Sequence, residues 1–201
     1  MTAGTGPDGT AAGTAPERGS TPERGPAPEA ARKPARFLLV GMMGAGKSTV
    51  GQLVADKLGW GYLDSDAEVM AATGLTVPEL FSLHGEAAFR AAETDALGLA
   101  CASAGPVVVS VAGGAILSPE NRDLLRRSGR VIWLRARPET LTARVGDGAG
   151  RPLLGSDPGT ALRTLEAVRR PLYAEVADDS IDVDDLSPDE VATRIIDRVG
   201  A

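Results

Sequence analysis

A glycine-rich segment that ends in lysine, serine and threonine carries the clearest chemistry in this sequence. It spans residues 41–49, reads Gly-Met-Met-Gly-Ala-Gly-Lys-Ser-Thr, and directly follows the apolar run 37–40. The glycines allow backbone N–H groups to turn inward around phosphate oxygens. Lys47 can reach the β- and γ-phosphates of a nucleotide, and the Ser48 hydroxyl can bind Mg²⁺. The segment therefore predicts a nucleoside triphosphate site formed by Gly44, Ala45, Gly46, Lys47, Ser48 and Thr49.

Two carboxylates, Asp64 and Asp66, lie one residue apart after a short apolar run. Such a pair suits a Mg²⁺–phosphate site, since one carboxylate can hold a metal-bound water while the other accepts a hydrogen bond from a substrate hydroxyl. The alternative is that Asp66 only stabilises the first turn of a helix capped by Ser65. Beside a phosphate-binding segment we favour the first interpretation.

Adjacent glycines, Gly113 and Gly114, follow another apolar run, 107–111. Two glycines let a ligand approach the backbone closely and accept a hydrogen bond from it, although a plain turn is the alternative. This run does not end in an aspartate, so a metal-side carboxylate has to come from elsewhere in the chain.

Three arginines are candidate ligands for negative charge. Arg90 lies in a helical pattern, where its alternative role is a surface pair with Glu86 four positions earlier. Arg151 lies in a stretch, 146–155, that contains four glycines and suits a mobile lid whose arginine meets phosphate on closure. Arg169 lies in a further helical pattern.

The remaining sequence predicts the scaffold that positions these residues. Strands are expected at 36–40, 61–63, 107–111, 131–134 and 181–183, and helices near 47–58, 66–72, 77–83, 86–102, 119–127, 138–144, 159–176 and 188–199. Ser65, Thr76 and Ser187 are each followed three residues later by glutamate, which predicts three capping boxes. Strands joined by helices predict a parallel sheet with helices on both faces, and ligands of such sheets bind beyond the carboxyl ends of the strands.

The first 34 residues differ in composition from the rest. They contain six Pro and six Gly but no aromatic residue, Ile, Leu or Val. We therefore predict a disordered tail at 1–34 and a domain at 35–201. The tail's charges cancel, so the net charge of −6 falls on the domain and argues against nucleic-acid binding. The sequence predicts no signal peptide or membrane span, and its single cysteine, Cys101, fits a reducing cytoplasm.

The order and spacing of these motifs resemble those of the shikimate kinase family over residues 36–199. The segments that carry the resemblance are 41–49, 63–66, 73–74, 80–93, 113–115, 151–154 and 169–173. The resemblance implies a three-layer α/β P-loop NTPase fold of the nucleoside-monophosphate-kinase type, with a five-stranded parallel sheet and a mobile lid at about 146–158. It also implies a cytoplasmic, monomeric enzyme of aromatic amino acid biosynthesis that phosphorylates the 3-hydroxyl of shikimate with ATP.

The same resemblance implies a role for each candidate residue. Arg90 and Arg169 would hold the shikimate carboxylate, and Asp66 would bind the ring hydroxyls and act as base. Gly113 and Gly114 would line the substrate, with the Gly113 N–H donating to it. The catalytic groups would be Lys47, Asp66 and Arg151, with Arg151 also contacting ATP, and Mg²⁺ would be held by Ser48 and, through water, by Asp64.

Three positions depart from the family pattern. Ala112 stands where a glycine is usual, Met70 stands where a glutamate is usual, and the loop 184–187, which includes Leu186, lacks the arginine that many members place against adenine. Two alternatives therefore stay open: another small-molecule P-loop kinase, such as a gluconate-type kinase, and a weakly active regulatory paralogue.

Overall fold

The structure is a computed structural model that describes Met1 and residues 35–146, 152–155 and 157–199. The predicted tail after Met1 lies outside the described residues. So do Arg151 and residues 147–150 and 156 of the predicted lid, whose mobility stays a prediction.

Five parallel strands form one sheet in the order β2-β3-β1-β4-β5. The strands are β1 (Arg36–Val40), β2 (Gly61–Asp64), β3 (Val107–Ser110), β4 (Arg130–Arg135) and β5 (Asp179–Asp182). The central strands β1 and β3 are buried along their whole length, which explains their continuous runs of aliphatic residues. The predicted five-stranded parallel sheet is confirmed.

Seven α-helices surround the sheet within the described residues. They are α1 (Lys47–Leu58), α2 (Ser65–Thr73), α3 (Val77–Ala102), α4 (Pro119–Ser128), α5 (Pro138–Val145), α6 (Pro158–Val176) and α7 (Pro188–Val199). Right-handed crossovers place α1 on one face of the sheet and α3, α4 and α6 on the other. The packing agrees, since α1 lies against α7 whereas α4 lies against α3 and α6. None of the described helices is long and apolar enough to cross a bilayer.

The two helices predicted on either side of Gly85 are present, and they follow each other directly within α3. The helices expected at 77–83 and 86–102 meet at a kink, where Gly85 has a non-helical backbone (φ 78°, ψ 175°). This backbone conformation is readily adopted only by glycine, so Gly85 separates the two helices and sets the bend between them. The kinked helix and α2 share a small apolar cluster, separate from the main core, that is built on Val69, Leu80, Phe89 and Ala96.

Two of the three predicted capping boxes are present. Thr76 and Glu79 exchange the expected hydrogen bonds at the start of α3, and Ser187 and Glu190 do so at the start of α7. The prediction for Ser65 is wrong. Asp64 caps α2 instead, because the Ser65 hydroxyl accepts a hydrogen bond from the Ala112 N–H at 2.8 Å.

Candidate active site

The loops that carry the predicted chemistry meet at one edge of the sheet. They follow β1, β2 and β3, which are neighbouring parallel strands. The bond between Ser65 and Ala112 ties the start of α2 to the loop after β3. The sheet therefore brings together segments that lie up to about 70 residues apart in the sequence.

The phosphate-binding segment has the backbone that its glycines predict. Gly44 (φ 82°) and Gly46 (φ 91°) adopt left-handed conformations, and Gly46 directly precedes α1. The Lys47 ammonium folds back over the loop and donates to the carbonyl oxygens of Gly41 at 3.0 Å and Met42 at 3.2 Å. A helix N-terminus with this loop and a lysine attracts phosphate oxygens.

A cavity of about 490 Å³ extends from this loop along α1 and α7. Its phosphate end contains all six residues predicted to form the phosphate-binding loop, from Gly44 to Thr49. Its other end is mainly apolar, with Val183, Leu186, Pro188 and Val191, and also contains Arg144. Leu186 therefore belongs to the wall where a base would lie. The loop 184–187 has no arginine, but α5 supplies one, Arg144, to the same cavity. The Arg144 guanidinium donates to the Val183 carbonyl oxygen at 2.8 Å.

Asp64 accepts three hydrogen bonds that organise the end of β2. Its carboxylate accepts from the Ser48 hydroxyl at 2.7 Å, from the Tyr62 hydroxyl at 3.1 Å and from the Asp66 N–H at 3.0 Å. The described residues contain no group of three His, Cys, Asp or Glu side chains that could hold a metal. Ser48 and Asp64 offer the one or two protein oxygens that suffice for Mg²⁺ when phosphate and water supply the other ligands.

Asp66 lies at the boundary between this cavity and a second one. Its side chain is accessible from the cleft but closely surrounded by protein atoms. This surrounding raises the pKa of the Asp66 carboxyl above its ordinary 3.8, although the charge of Lys47 acts in the opposite direction. The carboxylate thus has a raised proton affinity beside the lysine that would bind the transferred phosphoryl group.

The second cavity, of about 260 Å³, is lined by two arginines, a lysine, two carboxylates and several apolar side chains. Arg90, Arg169, Gly113 and Gly114 line it, together with Glu93, Ala112, Val77, Phe81, Phe89 and Leu153. It shares Met43, Lys47 and Asp66 with the nucleotide cavity. A ligand here would lie between two guanidinium groups and the position of the terminal phosphate.

Arg169 is a buried cation, with 2% of its surface exposed. Its Nε–H has no hydrogen-bond partner among the described residues. A buried, incompletely bonded guanidinium is costly unless an anion completes it. The residue therefore fits the predicted role of a carboxylate ligand.

Arg90 does more than the surface pairing that was its alternative role. Its guanidinium does contact Glu86, at 3.2 Å, but it also bonds to Glu93, of which only 3% is exposed. Burial raises the pKa of the Glu93 carboxyl, although the neighbouring Arg90 lowers it. No role was predicted for Glu93. Its position three residues after Arg90, on the same face of the helix, could have indicated the ion pair between them.

Gly114 is the residue against which the Arg90 guanidinium packs. A Cβ atom at position 114 would lie 2.2 Å from Nη1 and 3.0 Å from Cζ of Arg90. No real contact is that short, so a side chain at this position would force the Arg90 guanidinium to shift from the place it occupies in the cavity.

Gly114→Ala is therefore expected to raise the KM for the carboxylate substrate by at least about tenfold, the factor of one lost charge-assisted hydrogen bond. The KM for ATP should stay the same. Gly98→Ala is the matched control, because a Cβ on this α3 residue would meet nothing within 4 Å. Unchanged substrate affinity in Gly114→Ala would contradict the packing described here, and steady-state kinetics with each substrate varied provides the measurement.

The structure thus brings the described candidate residues to one cleft, whereas Arg151 lies outside the described residues. Of the departures from the family pattern, Met70 is exposed and lines neither cavity, while Ala112 is buried at the edge of the second. The sequence did not indicate Arg144 as a site residue, because no local pattern places α5 beside the loop after β5.

Comparisons with known proteins agree with this geometry. The family model described as shikimate kinase matches residues 43–200. The shikimate kinase of Symbiobacterium thermophilum is 45% identical over 165 residues, which cover 81% of this chain and 94% of that protein. The shikimate kinase of Halorhodospira halophila is 44% identical over 169 residues, covering 84% and 95%. A solved structure of shikimate kinase from Acinetobacter baumannii in complex with shikimate has a TM-score of 0.79 and 37% identity, covering 83% of this chain and 93% of that one. The chain belongs to the shikimate kinase family.

Proposed function

We propose that this chain transfers the γ-phosphoryl group of ATP to the 3-hydroxyl of shikimate, forming shikimate 3-phosphate. The observation that carries the proposal is the junction of two cavities at Lys47 and Asp66. One cavity is lined by a phosphate-binding loop, and the other is lined by two arginines. An acid bound to those arginines would present its far side to the terminal phosphate of a nucleotide.

The second cavity suits the chemistry of shikimate, which carries one carboxylate and three hydroxyls on a small ring. Arg90 and Arg169 would hold the carboxylate with charge-assisted hydrogen bonds. The Gly113 and Gly114 N–H groups have no hydrogen-bond partner among the described residues and would serve the substrate. Phe81 and Phe89 would cover the apolar face of the ring.

Phosphoryl transfer requires position and charge rather than covalent help from the protein. Asp66 would accept the proton of the attacking hydroxyl, and its raised pKa makes it a better acceptor than an ordinary aspartate. Lys47 would neutralise charge on the β- and γ-phosphates, and Arg151 would add a second positive charge. Ser48 and, through water, Asp64 would hold the Mg²⁺ ion, which supplies charge neutralisation between the phosphates when bound.

Two features of the proposal go beyond the site. We propose a cytoplasmic monomer whose tail, residues 1–34, takes no part in catalysis.

The gluconate-type alternative is not favoured, because the family match extends over residues 43–200 and the acid-binding arginines lie together in one cavity. A weakly active paralogue would also bind shikimate, so only turnover separates it from the proposal.

The deciding experiment is ADP release by the purified full chain with ATP, Mg²⁺ and shikimate. We expect release that depends on shikimate and that gluconate does not support. Turnover with gluconate alone would favour the other kinase class, and tight shikimate binding without turnover would favour the paralogue.

Arg90→Ala is expected to raise the KM for shikimate by about a hundredfold while the KM for ATP changes less than about threefold. The reason is that the guanidinium bonds to the acid, where two charge-assisted hydrogen bonds are lost, and lines only the second cavity. Arg194→Ala, an exposed arginine on α7, is the control and should behave as wild type. Equal weakening of both substrates in Arg90→Ala would contradict the assignment.

A further inference from the structure

The hydroxyl of Tyr173 lies where two elements that line the second cavity meet. These are α6, which carries Arg169, and the loop after β3, which carries Gly113. Tyr173 lies on α6, one helical turn after Arg169, and only 1% of its surface is exposed. Its O–H donates to the Gly113 carbonyl oxygen at 2.8 Å. The Arg169 guanidinium lies beside the same glycine, since a Cβ atom on Gly113 would lie 3.5 Å from the Tyr173 hydroxyl oxygen and 3.6 Å from Nη1 of Arg169. The phenol ring is itself held by Trp133, whose ring stacks on it with centroids 5.8 Å apart.

The hydroxyl stays protonated under all ordinary conditions. Burial raises the pKa of Tyr173 well above its ordinary 10.0, although the charge of Arg169 acts in the opposite direction. A protonated phenol has one donor and can accept at the same time. The direction of the bond is therefore set: the Tyr173 hydroxyl donates and the Gly113 carbonyl oxygen accepts.

The bond to Gly113 determines the orientation of the Gly113–Gly114 peptide. In this trans peptide the Gly113 carbonyl and the Gly114 N–H point in opposite directions. Because the carbonyl points to Tyr173, the Gly114 N–H points away from α6. A peptide between two glycines can rotate to other orientations at little steric cost, so the bond to Tyr173 is the contact that restricts it.

We propose that Tyr173 is a positioning residue for the acid substrate. With one oxygen it fixes the orientation of the glycine peptide that lies beside the buried Arg169, so that the Gly114 N–H and the guanidinium are both in place before the ligand arrives. It does not touch the reacting groups. This inference rests on the proposed function, because shikimate is the ligand that both donors would serve.

The test is Tyr173→Phe, which removes one oxygen and keeps the ring that packs against Trp133. We expect the Kd for shikimate, measured by calorimetry without nucleotide, to rise about tenfold. The KM for shikimate should rise equally, while kcat and the KM for ATP stay within about twofold. A split of this kind is not expected from a general loss of stability.

The control is Ile195→Val, a core substitution on α7. Only 1% of the Ile195 surface is exposed, and the residue lines neither cavity. Its thermal unfolding provides a comparison for any loss of Tm in Tyr173→Phe, and its shikimate affinity should be that of wild type. A Tyr173→Phe protein with wild-type shikimate affinity would overturn the inference, as would an equal rise in the KM for ATP. Wild-type protein that binds no shikimate at all would instead overturn the proposed function, and the inference with it.

Discussion

Asp66→Asn is expected to lower kcat by at least about a hundredfold, within the range that a positioned general base contributes. The amide keeps the size of the carboxylate and can still accept a hydrogen bond from a substrate hydroxyl, but it cannot take up the proton. The KM for ATP should change little, because Asp66 lies at the edge of the nucleotide cavity rather than in the phosphate loop. Steady-state kinetics with both substrates near saturation measures the effect.

The control for this variant is Asp56→Asn, an exposed aspartate on α1, which should have wild-type kcat. If Asp66→Asn retained kcat within about threefold of wild type, the residue would not be the base. Transfer would then depend on Lys47, Arg151 and the metal.

The pH dependence of wild-type turnover offers a second measurement on Asp66. Only the ionised carboxylate can accept the proton, and its pKa is raised above 3.8 by its surroundings. As the pH falls, the ionised fraction, and with it kcat/KM, is therefore lost at a higher pH than an ordinary aspartate would give. This acidic limb should be absent from the residual activity of Asp66→Asn.

Arg169→Met is expected to weaken shikimate binding by at least about a hundredfold, yet to leave the free protein as stable as wild type. Two charge-assisted hydrogen bonds to the carboxylate would be lost. In the free protein, however, the guanidinium is buried with its Nε–H unpaired among the described residues, and an apolar side chain of similar size avoids that cost. We expect a free energy of unfolding no more than about 1 kcal/mol below wild type, measured by denaturant titration, with calorimetry for binding.

Arg169→Lys is the matched variant, because it keeps the charge but not the planar fork. Its shikimate affinity should lie between those of wild type and Arg169→Met. A large loss of stability in Arg169→Met would show that Arg169 stabilises the packing of α6 in the free protein. Unchanged shikimate binding would show that Arg169 does not bind the substrate.

The sequence by itself determined the parts of this protein that depend on short-range patterns. The buried strands follow from continuous aliphatic runs, and the starts of α3 and α7 follow from Thr76 and Ser187 with their glutamates. The phosphate loop follows from glycine spacing before a lysine, because its function resides in one short stretch of backbone. The parallel sheet then follows from strands joined by helices, and with it the edge at which the site lies.

Only the tertiary structure decided the contacts between residues that are distant in the sequence. Gly114 accommodates Arg90, Tyr173 bonds to Gly113, and Ser65 bonds to the loop after β3 instead of capping its own helix. No local pattern contains these choices, because a hydroxyl or guanidinium bonds to whichever partner the packed helices bring within reach. The sequence could name the groups of the site, and the fold decided which of them touch.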